Sequence, residues 1–270
     1  MGSMAVSPAS GGREILTANL TYYVRTDGAD TNNGLANTAG GAFLTLTKVA
    51  AVLATLDFGG YTVTVQLADG TYTAGLTIPA LVGCGAPTNL IIQGNNATPA
   101  NVVISTTSAS CFVGLHPSAQ ASVRDLRMQT TTTGSCIIPQ NGSKIEFQNV
   151  DFGVCAQNHI RPARRGVATA SGNYTISGGA QNHMAALIAD IEVAGRTVTL
   201  TGTPAFSVAF CAADQASFIR APSNTYSGSA TGTRYAGNSG SGIYVAGGGA
   251  SYFPGDSAGS VDAATMSWYA

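Results

Sequence analysis

The stretch HIRPARRG, residues 159–166, gathers His159, Arg161, Arg164 and Arg165 in a chain that holds only 12 lysines and arginines. Guanidinium groups grip carboxylates and sulfates through a two-pronged fork of N–H donors. A cluster of this density can clamp the acidic groups of a glycan. The competing reading is a turn insertion whose arginines pair with nearby acids such as Asp151, Asp190 and Glu192.

The acids offer a second chemistry. Hydrolysis of a glycoside takes two carboxylates about 5–9.5 Å apart, one of them protonated. Asp125 and Asp151 stand 26 positions apart, and Glu146 lies between them. These three are the candidate catalytic residues, with Asp125 and Asp151 as a pair that stacks if the chain repeats. None of them belongs to a recognisable acid motif, and solvated turn acids are the plainer reading.

A third constellation is a repeat. AQNH occurs at 156–159 and again at 180–183, so Gln181, Asn182 and His183 echo Gln157, Asn158 and His159. Two imidazoles brought together could share a metal. No third ligand stands at a fixed offset, so no metal and no cofactor is expected, and a polar ladder or a surface sugar contact is the expectation. Aromatic rings that face solvent pack against the C–H face of a sugar. Tyr174, Tyr226, Tyr235 and Tyr244 are candidates, the alternative for each being a place in the core or against another subunit. The glycan-binding set is therefore His159, Arg161, Arg164, Arg165, Gln181, Asn182, His183, Tyr174 and Tyr226. Two further motifs read as structure. DGADTNNG (27–34) resembles an oxygen-rich calcium loop but lacks the downstream glutamate of an EF-hand, so its Asp and Asn side chains are expected to bond their own backbone. GNSGSG (237–242) lacks the strand-then-helix setting of a dinucleotide loop.

What must position these residues is a unit of about two dozen residues. Strands ending in glycine recur as NVDFG (149–153), YTISG (174–178), VTLTG (198–202) and NTYSG (224–228). Thr175, Thr199 and Thr225 share one place in that unit, and Ile176, Leu200 and Tyr226 the next. Cys111 and Cys136 are 25 apart. A β-rich repeat of roughly 20–25 residues is one coil of a parallel β-solenoid. Equivalent residues then stack about 4.8 Å apart, and His159 lies beside His183. Earlier coils are expected at 61–79, 89–106, 121–132 and 143–153, giving roughly seven between 60 and 250. An uncapped solenoid exposes strand edges. FLTLTKVAAVLATL (43–56) places Leu46, Val49, Ala50 and Leu53 on one helical face, with Thr45 or Thr47 as its cap. The spacing predicts an amphipathic helix over the first coil. At the other end, 237–270 loses the period.

Two stretches resemble a known family. YYVRTDGADTNNGLANTAGGAFLTLTKVAAV (22–52) is similar to the N-terminal segment of right-handed parallel β-helix proteins of the pectate-lyase-like superfamily. Gly28, Asp30, Asn32, Gly34, Leu35, Phe43, Thr45 and Ala50 supply the pattern, and ADGTY (68–72) matches a turn of the first coil. GGGASYFPGDSAGSV (247–261) resembles the end of phage and prophage tail-fibre and tailspike proteins. The resemblance implies an all-β, single-stranded right-handed parallel β-helix with a short N-terminal capping helix. It also implies a homotrimer on the virion that recognises bacterial surface polysaccharide, capsule or lipopolysaccharide, and in some members cleaves it. The segments expected are a tag and arm at 1–20, a cap at 21–60, the β-helix at 61–250 and a tail at 251–270.

Composition fits this and excludes other classes. Charged residues are 9% and apolar residues 44%, with 34 glycines, too apolar for a disordered chain. A net charge of −1 gives no general affinity for nucleic acid. No run is long enough for membrane insertion, and no signal peptide opens the chain; the resemblance implies synthesis in the bacterial cytoplasm. Five cysteines, an odd number without tight pairing, read as small core side chains rather than a disulfide framework. A thin solenoid core with so few charges leaves neutral surface for partner subunits. Three functions remain open: a glycan binder, a depolymerase and a structural spacer.

Overall fold

The computed structural model describes residues 12–270; the Met1-Gly2-Ser3 leader lies outside them. The chain winds as an all-parallel β-solenoid of about 8 turns. Three faces form its wall. Face 1 is a ten-stranded ladder that includes 20–24, 63–67, 90–93, 120–124, 144–148, 167–170, 190–192 and 218–220. Face 2 has seven strands, among them 102–108, 127–133, 151–152, 174–176, 197–200 and 225–227. Face 3 follows with nine, including 137–139, 158–160, 180–187 and 205–214. Every strand pairs in parallel with its equivalent in the next coil, as the sequence period requires.

The register is the 24-residue one where the repeat is cleanest. Asn158 pairs with Asn182 and Ile160 with Met184, while Thr175 pairs with Thr199 and Ile176 with Leu200. One expectation needs correction. Thr225 pairs with Thr197, and Tyr226 with Val198 rather than Leu200. The register advances 28 residues in this coil, two more than the 26 that separate Gly202 from Gly228, so Tyr226 falls in the column of Tyr174 and Val198.

The helix is α1, Leu46–Leu53, with Thr45 as its N-cap accepting from the Lys48 amide at 3.1 Å. Leu46, Val49 and Leu53 are buried on the face that covers the coil below, and Phe43 and Leu56 extend that apolar surface. The DGADTNNG segment holds this cap in place. The Asp30 carboxylate accepts from the Leu44 and Thr45 amides at 3.0 and 2.9 Å and from the Thr45 hydroxyl at 2.6 Å. Asn32 donates to Ala39 O and Ala42 O. Burial would raise the Asp30 pKa, but the Thr45 hydroxyl and the two amides outweigh it and hold the carboxyl below its usual range. At the far end the strands continue although the sequence period has gone: 242–244 pairs with 268–269, and 235–237 with 260–261.

The core is lined by Val, Ile and Leu in the first coils and by rings in the later ones. Phe147, Phe152, Tyr174, Phe206 and Phe210 sit within 5.2–5.7 Å of a ring neighbour in this column. Cys111, Cys136, Cys155 and Cys211 are buried free thiols, and Cys111 and Cys136 stack in adjacent coils, since Phe112 pairs with Ile137.

Candidate glycan-facing site

The turn 161–166 joins face 3 to face 1. Ala163 bridges to Gln140 in one neighbouring coil and to Leu187 in the other. Arg164 and Arg165 both adopt positive φ, 50° and 65°, a region that costs a non-glycine residue about 1 kcal/mol or more. The stack imposes it: the Arg164 amide donates to Leu187 O at 3.1 Å and the Arg165 amide to Ile188 O at 2.6 Å. The same corner in other coils repeats the geometry at Asn141, Ile188, Gln215, Ala216 and Ser239, all with positive φ and all exposed. The backbone is thus fixed by its neighbours while the side chains project into solvent.

Arg164 and Arg165 are exposed and Arg161 is half-buried. None of the three makes an ion pair among the described residues. Two of the acids expected to neutralise them pair elsewhere, and the third, Asp190, lies one coil along beside the turn, its amide donating to Gly166 O at 3.2 Å, without forming an ion pair. Asp151 faces Arg127 at 3.7 Å, and Glu192 contacts Arg220 at 2.6 Å. Arg161 stands on face 3 in the column of Ala185, Ala212 and Ala236. Three guanidinium groups without an ion pair therefore occupy one corner next to a strip of small side chains.

The histidines are brought together as the repeat requires, but inside. His159 and His183 are fully buried, and Tyr174 nearly so, which removes all three from any surface that meets sugar. Tyr174 Oη lies 2.9 Å from His183 Nε2, His183 Nδ1 lies 3.1 Å from His159 Nδ1, and His159 Nε2 lies 3.0 Å from Gly153 O. A carbonyl can only accept, so His159 carries its proton on Nε2. Its Nδ1 then accepts from His183 Nδ1–H, and His183 Nε2 accepts the Tyr174 hydroxyl proton. With both rings neutral, this is the assignment that satisfies every nitrogen. Burial holds His159 down at about 3 and His183 well below its ordinary value, the latter also through His159; burial likewise pushes the Tyr174 hydroxyl up.

Asn182 is also interior. Its Nδ2 donates to Asn158 Oδ1 at 2.8 Å and its Oδ1 accepts from the Ala209 amide at 3.1 Å, a self-satisfying amide ladder. Gln181 remains exposed. Tyr226 is partly buried at the edge of a recess near the C-terminal segment.

The acid candidates do not stack on one another. Asp125, at positive φ in the corner between faces 1 and 2, accepts from Asn149 Nδ2 at 2.8 Å, so its neighbour in the next coil is an amide. Asp151 pairs in register with Arg127 and Thr175. Glu146 lies between Ser122 and Thr169. The registry expectation for Asp125 over Asp151 is thus corrected: one occupies the turn and the other the strand after it. Among the described residues no group of His, Cys, Asp and Glu is placed to hold a metal ion.

Sequence reasoning missed the lack of carboxylate partners around Arg161, Arg164 and Arg165, because pairing depends on which coil each acid faces. It also missed the inward turn of the histidines, for which Phe152, Tyr174, Phe206 and Phe210 in neighbouring strands were a readable signal. No family model, no curated protein and no solved structure matches the chain.

Proposed function

We propose that the chain is a glycan-binding β-solenoid of a phage tail fibre or tailspike, recognising an acidic bacterial surface polysaccharide through the corner of Arg161, Arg164 and Arg165. The observation that supports this is three arginines without carboxylate partners, two of them exposed on a backbone their neighbours hold rigid. Cations without an intramolecular partner are free to meet the acids of a ligand, and a backbone already held by its neighbours loses little entropy on binding. The alanine strip of face 3 gives an extended chain a floor without protruding side chains. The resemblance of 22–52 to pectate-lyase-like β-helix proteins and of 247–261 to the ends of phage tail-fibre and tailspike proteins supports the setting and a homotrimer.

Depolymerase activity is the weaker reading, because Asp125, Asp151 and Glu146 each have a non-carboxylate neighbour in the adjacent coil. The test is to pass acidic capsular polysaccharide and neutral dextran over immobilised protein and to size the eluted chains. The reading expects retention of the acidic polymer at unchanged length, with weaker retention in salt. R164A/R165A is expected to lower affinity about tenfold or more. Shortened chains would establish the enzyme, and no retention of any polymer the spacer. Light scattering that shows a stable monomer removes the trimer.

A further inference from the structure

The chain holds a second recess, away from the arginine corner. It lies between the turn after strand 225–227 and the segment 251–255 that folds back over it, with a volume of about 260 Å³. Tyr226, Ser229, Arg234, Ser251, Tyr252 and Pro254 line it. Glycine makes this fold-back possible: at Gly255 (φ +149°) a Cβ would lie 2.6 Å from Gly232 O and 3.0 Å from Arg234 Cγ.

Arg234 is the unusual member. Its Nη1 donates to Ser257 O at 3.2 Å, but its Nε is buried and has no partner. Arg124 and Arg127 bury an unpaired Nε in the same way, so what singles out Arg234 is its place on the recess wall, where a ligand would meet the outer guanidinium nitrogens. No carboxylate stands within ion-pair distance of it among the described residues. The adjacent Asp256 is engaged by the Gly232 amide at 2.8 Å instead. The tyrosines are fixed before any ligand arrives. Tyr252 Oη donates to Ala221 O and accepts from the Asn224 amide, both at 2.7 Å, and its ring meets Tyr226 edge-on at 5.6 Å. Ser229 and Ser251 stand exposed at the rim.

We infer that this recess binds a single carboxylated pyranose, a uronic-acid-type residue of an acidic glycan. Its carboxylate lies on Arg234, its C–H face on the tyrosine rings, and its hydroxyls meet the rim serines. A guanidinium edge takes a carboxylate through two parallel N–H donors, and the rings exclude water from the face that has no hydroxyl. This deepens the glycan-binding reading and rests on it, yet it occupies a different site from the arginine corner.

The experiment is an NMR titration of the full chain with galacturonate and glucuronate, with glucose and acetate as comparators. Both uronates are expected to shift recess resonances, with glucose and acetate about tenfold weaker or more. R234M is expected to lose about tenfold in uronate affinity, and R234K to fall between, since lysine keeps the charge but not the fork. S251W, at an exposed position, fills the recess and is expected to abolish uronate binding while polysaccharide retention at the arginine corner persists; it carries the test if R234M does not fold. Uronate binding no stronger than acetate or glucose overturns the inference, as does uronate binding indifferent to R234M and S251W. Retention of polymer with no response to uronate defeats the recess alone. Uronate binding in the recess with no polymer retained sustains the recess and defeats the arginine-corner reading.

Discussion

Acidification from pH 7 to pH 5 should weaken this solenoid from its centre. His159 and His183 are fully buried and neutral, each with one ring nitrogen donating and one accepting. In the unfolded chain a histidine titrates near 6.5; in the fold His159 is held at about 3 and His183 well below its ordinary value. Between those limits the unfolded state binds protons that the folded state refuses. The stability contributed by the neutral rings is therefore whole above pH 6.5 and is lost as pH falls towards about 3. The slope is about 1.4 kcal/mol per pH unit for each group. From pH 7 to 5 this gives about 2 kcal/mol for each histidine and about 4 kcal/mol for both. Asp27 and Asp30, held low in the fold, add their loss only at lower pH: Asp27 by its hydrogen bond to Arg25, and Asp30 by its bonds to Thr45 and Leu44 despite burial. The assay is denaturant unfolding at pH 7 and pH 5 for the natural chain and for H159Q/H183Q. The variant is expected to be less stable at both pH values but to show a nearly flat difference between them. Equal pH slopes in the two proteins would refute the reasoning, as would ring nitrogen NMR shifts showing an imidazolium in the folded chain at pH 5.

The other expectations concern the elements that position the sites. Asp30→Ala removes three hydrogen bonds that fasten the first turn of the capping helix, and should cost about 2 kcal/mol in urea unfolding. Gly178→Val puts a Cβ 2.1 Å from the Val154 amide nitrogen; because that neighbour is backbone, the variant should lose about 3 kcal/mol or more, or be recovered only as aggregate. Arg127→Ala leaves Asp151, largely buried, without its cation, and should cost about 2 kcal/mol, with R127A/D151A recovering part of the loss in a thermal melt.

Much of the winding was legible because parallel stacking demands it. A residue one coil away is both neighbour and template, so Asn158 over Asn182 and Ile160 over Met184 follow from the period alone. The capping helix was legible from the spacing of Leu46, Val49 and Leu53. What the sequence hid was direction. Asn158, His159 and Ile160 are all buried, so inward and outward residues do not alternate there. A polar side chain that finds its partner one coil along can lie inside at little cost, and a pattern built on hydrophobicity places it outside. Tyr226 escaped for a different reason: two extra residues in one coil shift the register by a full alternation period, which preserves the face but changes the partner. The candidate site was half visible. Its arginines were conspicuous in a chain poor in charge, whereas their lack of ion pairs depends on three-dimensional neighbours.

The corner that carries Arg164 and Arg165 has a consequence for how such a protein changes its target. At Asn141, Arg164, Arg165, Ile188, Gln215, Ala216 and Ser239 the main chain takes the same left-handed bend whatever side chain it bears. Backbone contacts between successive layers dictate the path, and the side chains contribute little to it. These places form a row of interchangeable pegs along the shaft. Exchanging them rewrites adhesion without touching the winding, so variation in ligand preference among chains built this way should concentrate in that row.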